Sequence, residues 1–253
     1  MLRIVCWKWK KVDESFRHRE DYTARHVNIF ANMVSRNLSI PHEVVCITDD
    51  PAGIDPKIRI VPIWDELKEY GMCYRRLPIF KKEMKDIIGP RFVSMDLDCV
   101  IKNDITPLLD NNYDFMIWKP QKNKTPYCGS MFMMNAGARQ QVYDNFKVKN
   151  LIWLEDCGGW SQGKSKRWVH KKTYDAGFTV GSDQAWISYT LYPNEKTWDT
   201  KDGVYNFNKH IHKKYRSQKE ILKKARIIFF SGKNDPSHES LYKDYPWIPK
   251  FWK

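Results

Sequence analysis

Two carboxylates one residue apart, Asp96 and Asp98, close the apolar run Arg91-Phe92-Val93-Ser94-Met95. That run is short, apolar and opened by the break Gly89-Pro90, which predicts a β-strand. In an extended segment residues i and i+2 point to one face. Acids so placed repel, and each would have a raised pKa unless a cation sits between them. A hard, oxygen-seeking divalent ion, Mn²⁺ or Mg²⁺, suits such a pair. The competing reading of Asp-x-Asp is a solvated loop. What favours metal is a buried strand delivering the pair to the carboxyl edge of a sheet, where open α/β sheets bind ligands.

Other residues could share that chemistry. Asp183-Gln184 opens a helical pattern over Ser182 to Leu191, so Asp183 can meet a substrate or Ser182 or Asp183 can cap the helix. Ser231-Gly232-Lys233 follows an apolar strand pattern, and a glycine there lets backbone approach a phosphate closely. Lys164, Lys166, Arg167, Lys171 and Lys172 alternate with Trp160 and Trp168, a mixture that suits a phosphate backbone and a stacked or flipped base. For a second basic run over 209–226 a solvated helix face is the favoured reading.

The elements that must position these groups alternate through the first hundred residues. Leu2 to Trp7 reads as a buried strand and Asp21 to Asn37 as a helix with Val27, Phe30, Ala31 and Val34 on one face. Glu43 to Thr48 is a second strand, and Ile58 to Trp64 a third that Pro62 confines to an edge. Gly71 to Ile88 is helical in pattern. The alternation predicts an α/β fold with a mostly parallel central sheet flanked by helices. Beyond Asp98 the expected elements are strands at Tyr113 to Trp118, Ser130 to Met134 and Arg226 to Phe230, with a helix at Ala138 to Phe146. Residues 147–176 lack a period and read as a loop or insertion. One domain over 1–253 is expected, with 1–98 as its nucleotide-binding half and 99–253 as its acceptor-binding half.

Forty-three basic against thirty acidic residues give a net charge of +13, a field that attracts polyanions. Eleven tryptophans exceed what a core needs and can stack on sugars or bases. No apolar run reaches the ~20 residues of a membrane span, and the N-terminus does not read as a signal peptide. The six cysteines include no CxxC pair, so reduced core thiols in a cytoplasmic protein are expected.

Six blocks in order carry a resemblance: Ile4-Val5-Cys6-Trp7-Lys8-Trp9, Val45-Cys46-Ile47-Thr48-Asp49-Asp50, Tyr74-Arg75-Arg76-Leu77, Met95-Asp96-Leu97-Asp98-Cys99-Val100, Gly181-Ser182-Asp183-Gln184-Ala185-Trp186 and Phe229-Phe230-Ser231-Gly232-Lys233. Together they resemble the GT-A glycosyltransferases of phages and marine bacteria, and distantly the family 8 retaining enzymes. The resemblance implies a Rossmann-like GT-A domain that transfers a hexosyl or pentosyl group from a UDP-sugar. It implies Asp96 and Asp98 as ligands of Mn²⁺ or Mg²⁺. Cys6, Trp7, Lys8, Thr48, Asp49, Arg76, Asp96, Leu97, Gly129, Ser130, Asp183, Gly232 and Lys233 would line the donor site, with Asp183 and Gln184 as catalytic residues.

One departure stands out. The family places a His before this glycine as third metal ligand, and Ser231 stands here. Either the two aspartates and water hold the ion, or His238 swings in.

The acceptor expected from charge and aromatics is DNA, at a hydroxymethylated cytosine, with Lys164, Lys166, Arg167, Trp168, Lys171 and Lys172 as its contacts. The alternatives are a polysaccharide, lipid-linked or protein glycan acceptor, a nucleic-acid-binding module without catalysis, and a metal-dependent nuclease.

Overall fold

A computed structural model describes residues 1–10, 21–70, 72–120, 125–154, 167–178 and 182–253. Its centre is a seven-stranded sheet built from β1 (Leu2–Lys8), β2 (His42–Thr48), β3 (Arg59–Pro62), β4 (Arg91–Met95), β6 (Phe115–Trp118), β7 (Cys128–Asn135) and β10 (Lys196–Trp198), in the order β10-β6-β7-β4-β1-β2-β3. The expected mostly parallel sheet is present. β1, β2, β3 and β4 are parallel, while β7 runs antiparallel to both β4 and β6. β3 lies at the edge that Pro62 demands.

A second sheet joins β5 (Cys99–Ile101), β11 (Val204–Asn206) and β12 (Ile227–Phe229) in the order β11-β12-β5. The chain therefore leaves one sheet at Met95 and enters another at Cys99. Asp96-Leu97-Asp98 is the corner between them, not an extension of β4. Strand alternation is thus not what brings the two acids together.

Apolar side chains fill both faces of the large sheet. On one face Ile4, Cys6, Cys46 and Val93 pack against Val27, Phe30, Met33 and Val34 of α1 (Ala24–Asn37). Each such side chain contributes roughly 1.5–3 kcal/mol when fully buried. On the other, Val5, Trp7, Val45 and Ile47 pack against Tyr74, Leu77 and Trp186. Cys6, Cys46 and Cys99 are buried free thiols, as expected.

Several segments differ from the sequence expectation. The helix expected over Gly71 to Ile88 is a 3-10 helix, Met72–Phe80, followed by a single α-turn, Met84–Ile87. Pro78 lies inside that stretch; it has no N–H to donate and disfavours α geometry in the residue before it. The helix expected at Ala138 to Phe146 shrinks to Gln141–Asp144. Within 147–176, expected as a loop, β8 (Leu151–Leu154) and β9 (Arg167–His170) form an antiparallel hairpin. Among the described residues no helix is long and apolar enough to cross a membrane.

Candidate active site

The candidate centre lies where the ends of β4 and β7, the 3-10 helix and the Asp183–Leu191 helix meet. Arg76, 5% exposed, stands between two acids. Its Nη1 donates to Asp96 Oδ1, and its Nη2 lies 2.6 Å from Asp183 Oδ2. Planar guanidinium is suited to holding two carboxylates in a fixed relation. Arg75 and Arg76 are both buried, so neither forms a solvated ion pair on a helix surface.

β7 completes the constellation with backbone. Ser130 O accepts from Asp96 N at 2.9 Å, which ties the aspartate corner to the start of β7. A methyl group at Gly129 would stand 2.7 Å from Asp183 Oδ2 and 3.2 Å from Arg76 Nη2. Only glycine leaves the room those two groups occupy.

Asp183 does more than begin a helix. Ser182 makes no capping hydrogen bond from its side chain, and its hydroxyl is buried without a partner among the described residues. Asp183 Oδ1 accepts instead from Gln184 N at 2.8 Å, and Gln184 Oε1 accepts from the Cys128 thiol at 3.3 Å. Burial pushes the Asp183 carboxyl above the ordinary carboxylate range; Arg76 opposes the shift and Asp96 adds to it. For Arg76 burial works against the charge, but Asp183 and Asp96 outweigh it and hold the guanidinium protonated.

Asp98, 4% exposed, sits at the same corner. Its carbonyl accepts from Phe230 N at 2.7 Å, which fixes Ser231-Gly232-Lys233 beside it. Ser231 is held by Asn208, whose Nδ2 donates to Ser231 O at 2.6 Å and Oγ at 3.0 Å. Gly232 adopts φ +66°, left-handed, with its Cβ direction open apart from Asn208 Nδ2 at 3.8 Å, and Lys233 is exposed. The two carboxylates offer the oxygen ligands that a hard divalent ion takes. His238 does not join them: among the described residues no cluster of three His, Cys, Asp or Glu is formed.

Other expected donor residues are placed differently. Cys6 and Trp7 are 0% and 2% exposed and face opposite cores, so neither side chain lines a cleft. Trp7 Nε1 donates to Ser94 Oγ at 2.8 Å. Leu97 is likewise buried at the corner. Lys8, almost wholly buried, is tied to Asp50 through the carbonyl and through Oδ2 at 3.0 Å. Thr48 Oγ1 also bonds to Asp50, accepting from its N and donating to its O. Asp49 remains available at the edge, accepting from Lys10 N at 3.2 Å.

The expected acceptor stretch is dispersed. Lys164 and Lys166 lie outside the described residues. Arg167 is turned inward, 7% exposed, where a surface cation was expected. Trp168 is half-buried, with ring contacts to Tyr70 and Trp153, and Lys171 pairs with Asp175 at 2.7 Å. Lys172 is exposed. Trp153, 45% exposed, joins this surface and escaped sequence reading because its hairpin did.

No family model matches the chain, and no curated protein matches it in sequence. Solved structures do. The chain is similar to the galactosyltransferase LgtC in complex with donor and acceptor sugar analogs, at TM-score 0.59 and 9% identity over 99% of this chain and 95% of that one. It is also similar to the glycosyltransferase GlyE of Streptococcus pneumoniae, at TM-score 0.56 and 10% identity over 100% of this chain and 63% of that one. The bifunctional glycosyltransferase WbbM follows at TM-score 0.53 and 11% identity, covering 99% and 51%. At these identities the likeness is one of fold, and the fold is that of the GT-A glycosyltransferases.

Proposed function

We propose that the chain is a metal-dependent glycosyltransferase that moves a hexosyl or pentosyl group, with retention, from a UDP-sugar to an acceptor hydroxyl. The observation that carries this reading is Arg76 bridging Asp96 and Asp183 at the carboxyl edge of β4, on a GT-A fold. Asp96 and Asp98 are the residues that would hold Mn²⁺ or Mg²⁺. Bound there, the ion supplies charge neutralisation for a diphosphate.

The chain's own residues do the rest. Lys233 meets diphosphate oxygens beside the left-handed Gly232. Arg76 fixes the orientation of Asp183, and the buried Asp183 carboxylate contacts donor-sugar hydroxyls and opposes the positive charge that grows on the sugar carbon. Gln184, its amide oxygen turned to Cys128, presents its NH₂ to the same sugar.

For the acceptor, the +13 net charge supports a hydroxymethylated base in DNA. A glycan hydroxyl is favoured by a different observation, the acceptor sugar analog in the similar LgtC structure. Incubation with Mn²⁺ and a panel of UDP-sugars, with hydroxymethylated DNA or oligosaccharides, tests both. Acceptor-dependent UDP release is expected. If no donor yields UDP with either acceptor class, the reading fails.

A further inference from the structure

Cys128 borders the centre described above but takes no part in its chemistry there. It opens β7, is 6% exposed and carries a free thiol. A buried thiol on its own signals packing, because reduced cysteine behaves as a small apolar group. This one has polar neighbours. Its Sγ lies 3.3 Å from Gln184 Oε1 and 3.4 Å from Ser130 Oγ.

The strand departs from regularity where it delivers that side chain. Against β6, Ile117 stands opposite Phe132 and the next residue, Trp118, stands opposite Cys128, so Gly129, Ser130 and Met131 bulge from that ladder. A bulge re-aims side chains and recurs beside active sites. Gly129, within this bulge, leaves room for Asp183 and Arg76. Cys128 and Ser130 flank it and touch each other, and Cys128 reaches the residue that follows Asp183.

A glutamine amide has two ends of nearly equal size, an oxygen that only accepts and a nitrogen that only donates. Left without a partner, it can turn over and offer either end to a substrate. The Cys128 thiol proton answers the oxygen, and the Ser130 hydroxyl is placed to donate to the sulfur, which polarises the chain of bonds toward Gln184. The Gln184 NH₂ has no partner among the described residues. We infer that Cys128 is a positioning residue for sugar transfer: its thiol holds the Gln184 amide with the NH₂ turned to the donor sugar. No bond to sulfur forms or breaks. This inference rests on the glycosyltransferase reading above.

Steady-state UDP release, with the donor and acceptor that the UDP-sugar panel identifies, tests it on the full chain as wild type, Cys128→Ala, Cys128→Ser, Gln184→Ala and the double variant Cys128→Ala/Gln184→Ala. Cys128→Ala should lower kcat about tenfold, less than the loss from displacing a reacting group outright. Its affinity for UDP, which carries no sugar, should match wild type by calorimetry with Mn²⁺. Cys128→Ser keeps a donor and should recover most of kcat. In the Gln184→Ala background Cys128→Ala should cost nothing further, because a residue that acts only through another is not additive with it. If Cys128→Ala fails to fold, Cys128→Val, which fills the space and has no donor, takes its place in both backgrounds. A packing role instead predicts equal losses in both backgrounds, weaker UDP binding and no advantage for serine. That pattern, or full turnover in Cys128→Ala or in Gln184→Ala, overturns the inference and leaves sugar transfer standing. Absence of UDP release from every donor removes the underlying reading and the inference with it.

Discussion

Gly129 and Asp183 occupy one space: the place where a side chain would begin on β7 is the place where the Asp183 carboxylate lies, 2.7 Å from Oδ2. Gly129→Ala should therefore displace Asp183 and Arg76 together. A stability loss of about 1–3 kcal/mol is expected from overpacking. UDP release should fall by about 100-fold, the order that a small misplacement of a positioning group costs. Parallel urea unfolding and turnover measurements check both.

Arg76→Met leaves the buried Asp183 and the partly buried Asp96 beside an apolar chain. Breaking a buried ion pair from one side typically costs about 3–5 kcal/mol. Arg76→Lys keeps the charge but loses the fork that spans both acids, so it should recover only part of the loss. Chemical unfolding of the two variants against wild type gives the comparison. Equal stability of all three would show that the bridge contributes nothing to the fold.

Asp98→Asn should abolish Mn²⁺-dependent binding of UDP while leaving the thermal midpoint of the unliganded protein within a few degrees. Chelation of wild type with EDTA should produce the same loss of binding, and added Mn²⁺ should reverse it only in wild type. Retained, chelator-insensitive UDP binding would remove the metal assignment.

His170 offers a pH test that reads stability and not turnover. Its ring is fully buried between Trp186 and Phe146, at centroid distances of 4.2 and 5.3 Å, and neither nitrogen has a partner among the described residues. Burial, with a smaller push from Lys172, lowers its pKa to about 4. In the unfolded chain it titrates near 6.5. Between these values the unfolded state binds the extra proton, so stability is intact above pH 6.5 and declines as pH falls to about 4. His170→Phe should flatten that limb of the stability–pH curve and leave the neutral plateau less affected.

The first half of the fold was legible because its signals are local. Alternating apolar runs located β1, β2 and β4, and Pro62 marked the edge strand. Asp96, Asp98 and Asp183 could be picked out because a paired acid at a strand end and an acid at a helix start are visible in short windows. What escaped depends on contacts between distant residues. Nothing near Gly129 in the sequence indicates that its missing side chain makes room for Asp183. Nothing in Arg75-Arg76 tells which arginine turns to Asp49 and which to Asp183. Arg167 resembles its exposed lysine neighbours by type, yet β9 turns it inward. The loop expected at 147–176 hid a hairpin because its two strands, four residues each, are too short to display a period.

The reversed direction of β7 has a temporal consequence. Its first residues, not its last, reach the edge where Asp96 lies, and the helix bearing Asp183 is made later still. During synthesis on a ribosome, Arg76 emerges with Asp96 soon after it but with no second counter-charge. A polypeptide that stalls or is cut before residue 183 therefore carries a guanidinium with one side of its fork unanswered and an unassembled centre, and translation must pass that helix before the ensemble can close.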